Sequence, residues 1–243
     1  MSPSRSQEER SPIREFPSAP RSAFREQDAV WAKLLALGEY VIGSLEKAVV
    51  AICEGRMELI AELKVEEAES DREEVELELE CLRVLALYEP VASDLRRMAT
   101  ILKVNRDWER IADLALRVAR RIRKLSRKFP DIAVPDDLKA LARDVLTRVK
   151  AAYEALVERD ADKARAIIVA DQEIDDAYRE VRRRLKEELS ERADQLDGWL
   201  LLLNSARNLE RIGDHATGIC QTIIFLKEGT IIRHTDTPPA PNR

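Results

Sequence analysis

Apolar residues return every three or four positions along most of this chain, the spacing that gives a helix one buried face. One row, at positions 98, 102, 105, 109, 112, 116 and 119, reads Met, Leu, Asn, Glu, Ala, Leu, Ala. Another, at 199, 203, 206, 210, 213, 217 and 220, reads Trp, Leu, Ala, Glu, Gly, Thr, Cys. Alternation of period two is scarce, so strands are not expected. Punctuation divides the pattern into six helices. Gly55 separates 28–53 from 57–88, and Pro90 with Ser93-Asp94 opens a third that runs to Lys128 before Pro130. Pro135-Asp136-Asp137 opens a fourth, reaching Glu158; a fifth spans 161–191 and a sixth 195–227. Short links between long helices make antiparallel neighbours.

The second trio of helices repeats the first. At an offset of 104, Ala48 matches Ala152, Glu54 matches Glu158, Val65 matches Val169 and Asp71 matches Asp175. Beyond Pro90 the offset becomes 101, and Arg106-Asp107-Trp108-Glu109-Arg110-Ile111-Ala112-Asp113 aligns with Arg207-Asn208-Leu209-Glu210-Arg211-Ile212-Gly213-Asp214. This period is too long for a solenoid. The expected fold is all-α, two tandem, pseudo-symmetric three-helix bundles over 27–130 and 131–235. Residues 1–26, rich in Ser, Pro, Arg and Glu without periodicity, are expected to be a disordered arm, and 236–243 a tail.

The repeat gives meaning to a spacing that is weak alone. An acid four residues before an Asp lies one helical turn from it, and five such pairs occur: Glu67/Asp71, Glu109/Asp113, Glu158/Asp162, Asp171/Asp175 and Glu210/Asp214. Composition alone would give roughly three. Four of the five, however, hold equivalent places on the middle and last helices of the two copies; Glu158/Asp162 straddles a hairpin. Glu109 and Glu210 also interrupt a stripe expected to be buried, where an unpaired charge is costly. Two readings stand side by side. Arg106, Arg110, Arg207 and Arg211 neutralise the acids as an ionic seam, or carboxylates from two helices converge on a hard cation. A di-iron carboxylate bundle needs Glu-x-x-His motifs, and neither His215 nor His234 supplies one. His215 reads as a surface histidine, or as a group supporting the ligand Asp214.

Composition narrows the function class. With 36% charged, 45% apolar and only seven Gly among 243 residues, the chain suits long amphipathic helices. The 41 basic and 46 acidic residues leave a net charge of −5, which argues against nucleic-acid binding. No stretch approaches the roughly 20 apolar residues of a membrane span, and the N-terminus lacks a signal peptide's apolar region. Three separated cysteines read as reduced thiols, so a cytoplasmic location is expected. Cys81, Cys220, Trp31, Trp108 and Trp199 read as packing residues. The basic run Arg117–Lys128 complements a helix C-terminus, and the acid run Glu66–Glu80 reads as a solvated face.

At Glu89-Pro90-Val91-Ala92-Ser93-Asp94-Leu95-Arg96, Trp108-Glu109-Arg110-Ile111-Ala112-Asp113, Asp171-Gln172-Glu173-Ile174-Asp175 and Leu209-Glu210-Arg211-Ile212-Gly213-Asp214, the sequence resembles the PhoU family. The closing Phe225-Leu226-Lys227-Glu228-Gly229 adds to the resemblance, which covers about 28–235. It implies metal ions (Fe, Zn, Mn or Mg) at two carboxylate clusters: Glu67, Asp71, Glu109 and Asp113, then Asp171, Asp175, Glu210 and Asp214. Trp108 and Ala112 depart from the usual Leu and Gly, which is expected to shrink or tilt the first cluster. The resemblance further implies a homodimeric, non-catalytic negative regulator of phosphate uptake and of transcription in response to phosphate. Its expected partners are the ATPase subunit of a phosphate ABC transporter and a sensor histidine kinase, without membrane insertion. The competing classes are a metal-dependent phosphatase or oxidase on the same carboxylates, and a purely structural bundle.

Overall fold

Three helices follow the apolar rows of the first copy: α1 (Arg21–Glu54), α2 (Leu59–Tyr88) and α3 (Ala92–Lys128). The second copy gives α4 (Asp136–Glu158), α5 (Ala161–Val169), α6 (Asp171–Glu191) and α7 (Leu196–Glu228). The computed structural model describes residues 21–192 and 195–232, and among them there is no strand. The fold is all-α.

Two expectations change. The arm expected over 1–26 gives up its last six residues to α1, where Ala23 is fully buried and Gln27 nearly so. Ala23, Gln27, Val30 and Leu34 continue one inward face. Glu26 fixes this end by accepting from Arg83 Nη2 at 2.7 Å and Tyr88 Oη at 2.8 Å. Residues 1–20 and the tail 236–243 lie outside the described residues. The fifth helix, expected to be continuous over 161–191, breaks at Ala170. Three β-branched residues, Ile167-Ile168-Val169, weaken helix propensity there. Arg148 of α4 also donates to the carbonyls of Ile167 (2.7 Å) and Ala170 (2.8 Å), the latter accepting from the Glu173 N–H as well.

Within the first half, α1, α2 and α3 pack on one another; within the second, α4, α5 and α6 pack on α7. Across the halves α3 lies along α7 and α1 against α4, so one apolar core runs through both. Trp108, fully buried, meets Tyr153 of α4 edge to face at 6.2 Å between ring centres. Burial of each large side chain in this core contributes about 1.5–3 kcal/mol. Neither α2 nor α6 touches the opposite half among the described residues, so both occupy outer flanks. The α2/α3 and α6/α7 grooves, which carry the acid pairs, therefore face outward. No helix among the described residues is long and apolar enough to cross a membrane.

Candidate metal centre

In the second half the acids converge. Asp171 and Asp175 begin α6, while Glu210 and Asp214 sit midway along α7. Asp175, Glu210 and Asp214 each offer a carboxylate oxygen within 4.8 Å of the other two, the one such acidic group among the described residues. Asp171 stands outside this trio yet close enough for its charge to raise the Asp214 pKa. The break at Ala170 puts Asp171 in the first turn of α6, where the helix dipole favours a carboxylate. Gly213 lets α6 come close: a Cβ there would lie 3.3 Å from Ile174 Cγ2.

Burial raises the pKa of Asp214, and the charges of Asp171 and Asp175 raise it further. Burial, then Asp214 and Asp175, raise that of Glu210. Asp171 is raised chiefly by burial. Among the described residues Asp171, Glu210 and Asp214 have no ion pair within 4.0 Å, and Asp175 has only Arg179 at 3.7 Å. Arg207 and Arg211 offset part of the repulsion at Glu210 without pairing with it, and a set of oxygen-only donors that repel one another suits a hard metal ion. Asp171, Asp175, Glu210 and Asp214 therefore fit the implied group.

The first half differs. Arg117 grips Asp113 with two parallel bonds, Nε to Oδ1 at 2.9 Å and Nη2 to Oδ2 at 2.7 Å. Arg110 lies 3.2 Å from Glu109, and Arg120 Nη2 donates to Glu67 at 3.2 Å. Asp71 is exposed and without an ion pair among the described residues. Glu67, Asp71, Glu109 and Asp113 thus share a neighbourhood without forming a cage. Glu109 and Glu210, expected inside a buried stripe, are both half-buried at the rims of their grooves. Trp108 points into the core toward Gly38 and Tyr153 rather than over the acids.

Two further expectations are revised. His215 turns to α3, its Nδ1 2.9 Å from Asp107 Oδ1, and joins the two halves instead of supporting Asp214. Arg117 and Arg120, assigned to the helix dipole, hold carboxylates, and Arg121 donates to the Asn204 carbonyl of α7 at 3.2 Å. The acid run Glu66–Glu80 on α2 is mostly exposed, as a solvated face should be, with Lys47 binding Glu66 and Lys33 binding Glu76 and Glu80. Cys81, Cys220, Trp31, Trp108 and Trp199 are buried, as packing residues should be.

The PhoU domain model matches residues 34–122 and again 138–223, one match in each half. The chain belongs to the PhoU family. It is 32% identical over 209 residues to a phosphate-specific transport system accessory protein PhoU homolog of Pseudomonas putida, spanning 86% of this chain and 82% of that protein. It is 28% identical over 210 residues to the accessory protein PhoU of Escherichia coli (strain K12), with 86% of each covered. The crystal structure of PhoU from Pseudomonas aeruginosa superposes with a TM-score of 0.81 at 31% identity, covering 85% of this chain and 99% of that one. The phosphate transport system regulatory protein PhoU from Streptococcus pneumoniae shares the fold, with a TM-score of 0.79 at 24% identity and coverage of 87% and 99%. Two PhoU repeats thus account for the duplicated acid pairs.

Proposed function

We propose that this chain is a metal-binding negative regulator of phosphate uptake and phosphate-responsive signalling. The convergence of Asp175, Glu210 and Asp214 carries the metal reading. The regulatory reading is supported by relatives named as accessory and regulatory proteins of phosphate transport. In this reading the protein is non-catalytic, cytoplasmic and homodimeric, and contacts the ATPase subunit of a phosphate ABC transporter and a sensor histidine kinase.

Asp171, Asp175, Glu210 and Asp214 would hold the metal, an ion such as Mg, Mn, Fe or Zn, which supplies positive charge between two helices. The carboxylates do the positioning. Asp175 and Glu210 bring α6 and α7 to a common point, and Gly213 keeps those helices close enough to share it.

Elemental analysis of the gently purified protein tests the site. Wild type is expected to carry metal, and Asp175→Ala/Glu210→Ala/Asp214→Ala to lose it; equal content in both would end the metal reading. The regulatory role is tested in a bacterium deleted for its own PhoU. Expression of this chain is expected to lower phosphate uptake, measured with labelled phosphate, and unchanged uptake would refute it.

A further inference from the structure

The two repeats place their acids alike but not the residues one and two turns beyond them. At the offset of 101 that pairs Glu109 with Glu210 and Asp113 with Asp214, Arg117 corresponds to Gly218 and Arg120 to Gln221. These are two of the three arginines that engage the first-half acids, the third being Arg110 at Glu109: Arg117 grips Asp113 through two bonds, and Arg120 bonds Glu67. The counterparts of Arg117 and Arg120 carry no charge. Gly218 has no side chain, and a Cβ there would face Asp107 of α3 at 3.5 Å. Arg110 and Arg211, present in both copies, do not make the difference.

We infer that the chain has one metal centre, in its second half, and that in the first half the protein's own guanidinium groups take the metal's place. This rests on reading the second cluster as a metal site. An arginine stays charged at every physiological pH and fits a carboxylate through paired hydrogen bonds. A metal entering at Asp113 must break both bonds and leave the guanidinium without its partner. It must also draw together acids that do not share a cage, whereas Asp175, Glu210 and Asp214 are already within 4.8 Å of one another. The first half is thus locked by built-in cations, whereas among the described residues the second has only Arg179, 3.7 Å from Asp175, and leaves Glu210 and Asp214 for a cation from outside.

The test is Mn²⁺ binding to the full chain, read by elemental analysis after equilibrium dialysis, with helicity and melting temperature recorded for each variant. Glu67→Ala/Asp113→Ala is expected to leave bound Mn²⁺ unchanged, and Asp175→Ala/Asp214→Ala to abolish it. Arg117→Ala/Arg120→Ala, which removes the charges the second repeat lacks, is expected to roughly double bound Mn²⁺ per chain. Adding Glu109→Ala/Asp113→Ala to that variant is expected to erase the gain. Loss of Mn²⁺ in Glu67→Ala/Asp113→Ala overturns the inference while sparing the second-half site. A folded Arg117→Ala/Arg120→Ala protein with no extra Mn²⁺ overturns it too. No Mn²⁺ on wild type, with second-half variants no different, defeats the metal reading itself and the inference with it.

Discussion

Carboxylates crowded together without a counter-ion destabilise the protein that holds them, and the sign of that effect can be read against pH. Burial and the neighbouring acids raise Asp214 and Glu210 above the ordinary carboxylate range. The folded metal-free protein therefore binds protons there more readily than the unfolded chain does. Its stability is undiminished while these groups are protonated, and falls as pH rises through the carboxylate range to the raised folded values. Asp214→Asn removes one charge at nearly constant shape. Metal-free, the variant is expected to melt above wild type at pH 7, by well under about 1 kcal/mol because Asp214 is exposed to solvent that screens its charge. The gap should close on acidification, and added metal should reverse the order by stabilising only wild type. Melting curves across pH check all three. At this scale the sequence was readable where acids repeat at matched positions. It was opaque about Arg117, whose grip on Asp113 looks like any basic residue near a helix end until the matched Gly218 is set beside it.

At the scale of elements, the break between α5 and α6 is braced by a third helix. Arg148, on α4 and largely buried, closes the carbonyls of Ile167 and Ala170, so that α6 starts with Asp171 in its first turn. Arg148→Met keeps much of the apolar stem and removes two charge-assisted bonds, an expected loss of about 2–3 kcal/mol. Hydrogen exchange should speed up over residues 167–175 first. Metal affinity should weaken as well, since Asp175 lies on the turn this cap anchors; unchanged exchange there would contradict the capping role. Periodicity located four of the six expected helices closely. It ran straight through Ala170 because a β-branched run is a weak stop signal and the Arg148 brace comes from elsewhere in the chain. It also missed the first turns of α1, where Ser22, Arg25 and Glu26 hide an inward face carried by Ala23 and Gln27.

For the whole molecule, the duplication foretold two bundles but not how closely they are joined. Trp108 of the first half meets Tyr153 of the second, and Gly38 of α1 sits against both rings; a Cβ there would lie 3.0 Å from each. Gly38→Val pushes a branched side chain into that junction, an expected loss of about 2 kcal/mol from overpacking. With about 2–4 °C per kcal/mol for a chain of this size, melting should fall by roughly 4–8 °C. Because one core spans the halves, far-ultraviolet dichroism and tryptophan fluorescence should report a single coincident transition. Two separated transitions would show halves that unfold independently.

Helix α7 leans on α3, α4, α5 and α6 at once. Midway along it stand Glu210 and Asp214, so whatever gathers at those acids acts on a rod that four others rest against. In a close-packed interior even a slight slide of that rod has no slack to absorb it. The contact of α7 with α3 joins that rod to the far half, so the acids on the outer flank stand on the element that links both cores.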